Sequence, residues 1–234
     1  MIMNAIQGFQ SNIVIAFRPQ VVQSYAEGNN ERVTKLFYSL SKISFILLSI
    51  ISIPIILEID YILHLWLGDS IPEYTITFTL LILLNMIFSS LTTPVSQVVH
   101  ATGKIKVYQI VTSIIVCSIL PIAYLFLRLG FSPVSVYWVS FVVTVLNQIA
   151  CLILLKHVYV YQIREYLVKV IAPCLLFLLI VPIIPYIIVL TVQSSFIRLL
   201  LVGMTSIIVS IVTAYALVLD QAERHLVLRF VKRK

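Results

Sequence analysis

Uncharged and mostly apolar segments follow one another along the whole chain, separated by short polar stretches. A helix of about 20 apolar residues crosses a bilayer, and the seven segments are close to that length. No segment alternates between apolar and polar residues over about ten positions, as the strands of membrane β-barrels do. We therefore expect an all-α integral membrane protein that forms one transmembrane domain of about seven helices. The predicted spans are residues 1–17, 36–57, 74–99, 107–127, 134–155, 170–190 and 197–219.

The basic residues are divided unevenly between the two sides of this predicted bundle. Of the 16 Lys and Arg residues, 14 fall on one side and only Arg128 and Arg198 fall on the other. Short loops rich in Lys and Arg stay in the cytoplasm. We therefore expect a cytoplasmic C-terminus with a basic tail, residues 220–234. Lys42 lies inside the second apolar segment, and we expect its long side chain to reach back to the lipid headgroups.

The composition supports a membrane location and changes how the net charge is interpreted. The 234 residues are 61% hydrophobic and 11% charged, whereas soluble domains have about 25% charged residues. A net charge of +7 would suggest nucleic-acid binding if the cations formed one soluble patch. The Lys and Arg residues are instead spread along the chain on one side of the predicted bundle, so we expect no nucleic-acid partner. The cysteines lie in apolar segments, and we expect buried thiols without a disulfide or a metal ion: Cys117, Cys151 and Cys174.

The predicted topology places the N-terminus outside, because seven spans separate it from a cytoplasmic C-terminus. The first span has no basic residue before Arg18, so it lacks the charged start of a signal peptide. We expect that the chain is the C-terminal half of a longer transporter, with six or seven further helices before Met1.

Polar residues form stripes on the first, third and fifth predicted spans, within arcs of about 60° to 100°. Lipid makes such residues costly unless they meet a partner or a water-filled cavity. One interpretation is hydrogen bonding between neighbouring helices. The other is a hydrophilic substrate pathway, in which Arg18 attracts an anionic group of the substrate. The candidate pathway residues are Asn4, Gln7, Ser11, Arg18, Asn85, Ser89, Asn147 and Gln148.

Two further observations concern the connectors and the chemistry. Residues 61–68 favour an amphipathic external turn with Trp66 at the membrane interface. The chain has no HExxH, GxSxG or P-loop motif, and no carboxylate lies in the interior of a predicted span. We therefore expect that the protein is not an enzyme and needs no cofactor or metal.

Two ordered motifs resemble those of a known family. They are RPQVVQSYAEGNNER at residues 18–32, followed by KLFYSLSK at 35–42, and then ILHLWLG at 62–68. Together they are similar to a span junction and a span ending of the polysaccharide flippases of O-antigen and lipopolysaccharide biosynthesis. That family belongs to the superfamily of multidrug, oligosaccharidyl-lipid and polysaccharide exporters.

The resemblance implies a 14-helix exporter-like fold of two bundles, of which this chain would form the C-terminal one. It also implies a bacterial inner-membrane flippase that moves undecaprenyl-diphosphate-linked oligosaccharide outward by alternating access. The implied partners are this lipid-linked oligosaccharide, membrane lipids, and the N-terminal half or glycan-assembly proteins. The polar face of the first span would line the central cavity, and the last two helices would offer a groove to the prenyl tail.

Three alternatives stay open at this point. A cation-coupled multidrug exporter of the same superfamily would be favoured by a buried carboxylate. A membrane-embedded polysaccharide polymerase or acyltransferase usually needs a large basic external loop, whereas the longest external connector here is short and acidic. A purely structural membrane subunit is the third.

Overall fold

The computed structural model describes residues 2–68, 70–220 and 223–224, and in the first helix it describes the side chains of Gly8 and of Val14 onward. The described residues contain α-helices and two π-helical turns, Leu167–Ile171 and Ala214–Val218, but no β-strand. The α-helices are α1 (Ile2–Ala26), α2 (Asn30–Leu57), α3 (Ile59–Leu67), α4 (Thr75–Ser89), α5 (Thr92–Thr102), α6 (Ile105–Cys117), α7 (Ile119–Arg128), α8 (Val134–Val158), α9 (Ile163–Tyr166), α10 (Ala172–Ile180), α11 (Ile183–Thr191) and α12 (Phe196–Thr213).

Most of these helices join end to end into long apolar spans. Within the described residues, six helical stretches are long and apolar enough to cross a membrane, and the 25-residue helix α1 precedes them. The protein is therefore an all-α, multi-pass membrane protein of about seven helices, as the sequence predicts. The six stretches are Asn30–Leu57, Thr75–Thr102, Ile105–Arg128, Val134–Val158, Ile163–Thr191 and Phe196–Val218.

The connector predicted at residues 18–35 is wrong, because both helices continue through most of it. Helix α1 runs to Ala26 and α2 begins at Asn30. Only a tight turn separates them, in which Gly28 has a φ of 71° that glycine adopts without strain. The Asn29 side chain accepts a hydrogen bond from the backbone N–H of Arg32 and caps α2. Hydropathy locates the part of a helix that lies inside lipid. It does not locate the turn residues that end the helix outside the lipid.

The chain runs up and down, so its turns gather at two ends of the bundle. The α1–α2, α5–α6 and α8–α9 turns lie at one end with the C-terminal end of α12. A hydrogen bond of 2.8 Å joins Thr34 Oγ1 near the start of α2 to Tyr159 Oη after α8. We call this end the basic face, because most of the described Lys and Arg residues lie there, and we call the other end the opposite face.

Helix α2 is the central element of the bundle. Its buried residues, from Val33 to Ile53, cover about two thirds of the helix circumference, and it packs against α1, α4, α5, α10, α11 and α12. Phe37 stacks on Tyr166 with ring centroids 4.8 Å apart, and Tyr161 meets Phe37 edge-on. By contrast, the Ile105–Arg128 span is almost entirely unburied and packs mainly against α8. The apolar outer surface of that span suits contact with lipid.

Prolines interrupt three of the spans, and one of these breaks follows Cys117, the end of α6, four residues before Pro121. Pro94 has no N–H to donate to the carbonyl of Ser90, and the helix breaks between α4 and α5 at that carbonyl. In the sixth span, α10 ends at Ile180, just before Pro182, and α11 begins at Ile183. Each break divides its span into two helical segments.

The connector after α2 contains a short helix, α3, on the opposite face. Its buried residues are Ile59 and Leu63, whereas Leu65 and Trp66 are largely exposed. Helix α3 ends at Gly68, which has a φ of 73°. An exposed Trp on an amphipathic helix beside the spans suits the membrane interface, where the ring is partly in lipid and the indole N–H is hydrated.

Trp66 provides a direct test of this placement, because Trp138 is the only other tryptophan. In a Trp138→Phe variant reconstituted into vesicles, we expect lipids brominated near the headgroup to quench Trp66 fluorescence more than lipids brominated near the chain ends. The matched Trp66→Phe variant reports Trp138 as the control. A Trp66 emission that neither lipid quenches would contradict an interfacial position.

Candidate functional site

The structure places only part of the candidate pathway. The side chains of Asn4, Gln7 and Ser11 lie outside the described residues, so their role stays a prediction. Arg18 is exposed and lies eight residues before the end of α1, about 12 Å along the helix. It is therefore on the basic-face half of a span, and it is not the first residue of a connector.

The polar stripes of the third and fifth predicted spans meet each other between α4–α5 and α8. Asn85 Nδ2 donates to Ser140 Oγ at 2.9 Å. Thr92 Oγ1 donates to Gln148 Oε1 at 2.6 Å, and Gln148 Nε2 donates to the Leu91 carbonyl at 3.2 Å. Gln148 thus binds the chain at the break before Pro94. Hydrogen bonding between helices is confirmed for these side chains, and a pathway along them stays a prediction.

The remaining two pathway candidates behave differently. Ser89 Oγ donates to the carbonyl of Met86 in its own helix at 3.0 Å, which is a common way for serine to satisfy its hydroxyl in a membrane helix. Asn147 Oδ1 is buried and has no hydrogen-bond partner among the described residues. Asn147 thus has unused hydrogen-bonding capacity inside the bundle.

A buried ion cluster lies where α2 meets the chain segment that follows α12. The Lys42 side chain is fully buried, and its Nζ lies 2.7 Å from Asp220 Oδ2 and 3.3 Å from Glu223 Oε2. Ser39 Oγ also donates to Glu223, and the Asp220 N–H donates to Glu223 Oε2 at 2.8 Å. We call Lys42, Asp220, Glu223 and Ser39 the inner cluster.

The expectation that Lys42 reaches the lipid headgroups is wrong. Two carboxylates lie next to its ammonium inside the bundle, and such pairing lowers the cost of keeping the charge there. Both carboxylates belong to the predicted tail 220–234, of which the structure describes only Asp220, Glu223 and Arg224. The described part of this tail returns to the bundle instead of extending away from it.

A second ion pair joins the same two spans at the opposite face. Glu58 follows α2 and is fully buried, and its Oε2 accepts from Arg198 Nη2 at 2.7 Å. Arg198 Nη1 also donates to the carbonyls of Val189 and Val192 in the α11–α12 connection. Glu58 Oε1 has no partner among the described residues. We call Glu58 and Arg198 the outer pair.

The order of charged residues along the second and last spans could have indicated both the inner cluster and the outer pair, although the overall composition does not. The second span has a cation towards its start, Lys42, and an anion at its end, Glu58. The last span has a cation at its start, Arg198, and an anion at its end, Asp220. Two antiparallel helices with these charges are complementary at both ends. Lys42 and Glu58 are 16 residues apart, about 24 Å along a helix, which is close to the thickness of the apolar layer.

A polar cavity of about 760 Å³ lies on the basic face beside the inner cluster. Charged side chains from α2, from α9, from the π-helical turn after α9 and from the C-terminal segment meet at this cavity. Lys35 pairs with Glu31 at 2.6 Å and Lys169 pairs with Glu165 at 2.5 Å, both in exposed positions. The polar lining residues are Asn30, Glu31, Arg32, Thr34, Lys35, Tyr38, Ser39, Glu165, Lys169, Asp220 and Glu223.

Tyrosines bind the α8–α9 connection to this end of the bundle. Tyr161 donates to the Leu152 carbonyl at 2.7 Å, and Tyr159 donates to the Asn30 carbonyl at 2.6 Å. Burial raises the pKa of both phenols above their usual range, so both stay protonated and remain donors near neutral pH.

The three cysteines differ in their burial. Cys151 and Cys174 are buried, as predicted, but Cys117 is exposed, so the prediction is wrong for that residue. Cys117 ends α6 on the span that has few protein neighbours. Among the described residues, no three His, Cys, Asp or Glu side chains come together as a metal site.

Searches of protein-family models, curated protein sequences and solved structures gave no significant match to this chain.

The outer pair makes a prediction about stability. Replacing Glu58 by Ala leaves the Arg198 charge buried without a counter-charge, so we expect the free energy of unfolding to fall by about 3–5 kcal/mol. Unfolding of the purified protein in detergent micelles measures this loss. The double variant Glu58→Leu with Arg198→Met should recover most of it, because two apolar side chains need no partner.

Glu73→Ala is the control for this experiment, because Glu73 is an exposed carboxylate in the same connector. We expect its effect to stay within about 0.5 kcal/mol. Equal losses for Glu58→Ala and Glu73→Ala would contradict a stabilising role of the outer pair.

Proposed function

We propose that this chain is a transmembrane flippase or exporter for undecaprenyl-diphosphate-linked oligosaccharide in the synthesis of a surface polysaccharide such as O-antigen. The observation that carries the proposal is an exposed cation, Arg18, on a membrane span and within the first of the two family-like motifs. A multi-pass fold without strands in its described part provides the setting for lipid transport. The two motifs provide the link to polysaccharide flippases.

The proposal places the basic face in the cytoplasm and the protein in the bacterial inner membrane. The 14-to-2 distribution of Lys and Arg supports this orientation. Arg18 is then at the depth of the cytoplasmic headgroups. The diphosphate of a lipid-linked sugar lies at the same depth, where a guanidinium can bind two phosphate oxygens at once. In this proposal Arg18 receives the diphosphate and the amides of α1 contact sugar hydroxyls.

In the two-bundle arrangement that the resemblance implies, the helices of this chain act with a second bundle. Alternating access then means that the two bundles rock around the substrate. The apolar surface of the last two spans is available to the prenyl tail. The lipid-linked oligosaccharide, the surrounding lipids and the second bundle or glycan-assembly proteins are the proposed partners.

A cation-coupled drug exporter receives less support from the geometry. Such an exporter needs a buried carboxylate that a coupling cation can reach. The two most buried carboxylates of the described residues, Glu58 and Glu223, are already paired with Arg198 and Lys42. A membrane enzyme has no supporting constellation in the described part of the chain.

The test replaces Arg18 by Ala at the chromosomal locus. We expect surface polysaccharide to fall several-fold and its lipid-linked precursor to accumulate, because the diphosphate loses its cation. Electrophoresis of extracted polysaccharide and mass spectrometry of extracted lipids measure the two quantities. Arg18→Lys should retain part of the activity, since it keeps the charge but loses the two-point geometry.

Lys104→Ala is the matched control, because Lys104 is an exposed cation in the α5–α6 turn on the same face. Normal polysaccharide in Arg18→Ala at a normal protein level would contradict the role of Arg18. Normal polysaccharide after deletion of the whole gene would contradict the proposed function itself.

A further inference from the structure

The inner cluster and the outer pair join the same two spans, but they differ in how firmly they are enclosed. In the outer pair, the exposed side-chain fraction is 0% for Glu58 and 11% for Arg198. In the inner cluster, the exposed side-chain fraction is 0% for Lys42 and 60% for its nearer partner, Asp220. Water therefore reaches one member of the inner cluster and hardly reaches the outer pair.

The outer pair is held by more than its own contact. Arg198 belongs to the first turn of α12, and it also binds the carbonyls of Val189 and Val192 before that helix. Opening the outer pair would leave a buried guanidinium and a buried carboxylate in an apolar layer, which is strongly unfavourable. This contact therefore fixes the position of the last two spans against α2 at the opposite face.

The inner cluster lies next to backbone that can rearrange. Asp220 follows the π-helical turn Ala214–Val218, and the neighbouring span contains the second π-helical turn, Leu167–Ile171. Helix α10 continues directly from the turn Leu167–Ile171 and packs against the turn Ala214–Val218. π-Helical turns are rare, occur often at functional sites, and mark places where the hydrogen-bond register of a helix can change. Both turns lie in the basic-face halves of the last two spans.

Other polar groups line the cavity beside the inner cluster. Asp220 interacts electrostatically with Lys169 across the polar cavity. The Tyr38 hydroxyl lines the same cavity, is buried, and has no hydrogen-bond partner among the described residues. Water already reaches Asp220, so opening this end hydrates Lys42 Nζ and both carboxylates instead of leaving them in an apolar layer. Opening at this end is therefore much less costly than opening at the outer pair.

We propose that the inner cluster is a latch and the outer pair is a pivot. When Lys42 releases Asp220, the basic-face ends of the last two spans swing away from α2 while Glu58 and Arg198 hold the other ends. The swing enlarges the polar cavity and admits water between α2 and α10. This device does not depend on which substrate the protein carries.

Two native cysteines can report this motion. Cys174 is buried in α10 and lies within electrostatic range of Lys42 and Glu223. Cys151 is buried in α8, where its thiol lies 3.5 Å from Tyr108 Oη. In the proposed motion Cys174 moves with the last two spans, whereas Cys151 stays in place with α8. Cys117 is exposed and is removed by Cys117→Ala in every variant.

The experiment follows the rate at which N-ethylmaleimide labels each thiol in the full chain, reconstituted in vesicles and analysed by mass spectrometry. One background keeps Cys174 alone (Cys117→Ala, Cys151→Ala), and the other keeps Cys151 alone (Cys117→Ala, Cys174→Ala). In each background the latch is weakened by Asp220→Asn. We expect Cys174 labelling to accelerate roughly ten- to a hundredfold, which corresponds to the loss of one hydrogen bond between charged groups in an opening equilibrium. We expect Cys151 labelling to stay within about twofold.

The pivot is tested with Glu58→Leu and Arg198→Met, which replace the outer pair by apolar side chains. We expect Cys174 labelling in this variant to stay within about twofold of its parent, since the latch is intact. Three results would each overturn the proposal: no acceleration at Cys174 in Asp220→Asn, equal acceleration at Cys174 and Cys151, or equal acceleration of Cys174 by the latch and pivot variants. The second result would mean general unfolding, which the Cys151 background detects.

Discussion

A charge inside a bilayer needs a counter-charge from another part of the protein, and this requirement arises near the middle of helix α2, at Lys42, and just after its end, at Glu58. Lys42 and Glu58 are fully buried, and the last span and the residues that follow it supply partners for both. The arrangement of the bundle follows from this constraint, because the last span must lie antiparallel to α2 with its ends at matching depths. Apolar packing alone would tolerate many positions of one lipid-facing helix against another, whereas two ion pairs about 24 Å apart allow only one register.

Both of these spans bury small side chains, which permit close packing of neighbouring helices. Ser49 and Ser52 of α2 and Ser206 and Ser210 of α12 are all buried. Inside a membrane there is no hydrophobic force between helices, so close backbone approach and polar contacts hold them together. The Asn85–Ser140 and Thr92–Gln148 bonds do the same for α4–α5 and α8. The Ile105–Arg128 span has few such contacts, and most of its surface is correspondingly unburied.

Hydropathy predicts what the bilayer itself imposes, and that accounts for most of the fold. The number, order and approximate position of the spans were predictable, since lipid requires a minimum length of apolar helix. The ends of α1 and α2 were not, because Gly28 and Asn29 set them outside the apolar layer. The stripes containing Asn85 and Gln148 were visible in the sequence, but the partner of each side chain was not. The contact of Lys42 with Asp220 joins positions 178 residues apart, and no local pattern encodes such a distance. Only the complementary charges at the ends of the two spans point to it.

The position of Lys42 and Glu58 in the chain has a consequence for how the protein is made. Helix α2 is made before the last span, because Arg198 and Asp220 are synthesised about 140 to 180 residues after Glu58 and Lys42. At about 5–20 residues per second, α2 waits roughly 10 to 40 seconds for its counter-charges. During that time, two unpaired charges must stay near the headgroups, within the translocation machinery or beside a chaperone. A ribosome that stops before the last span would release a product whose central helix carries uncompensated charge, and quality-control proteases could recognise it by that feature.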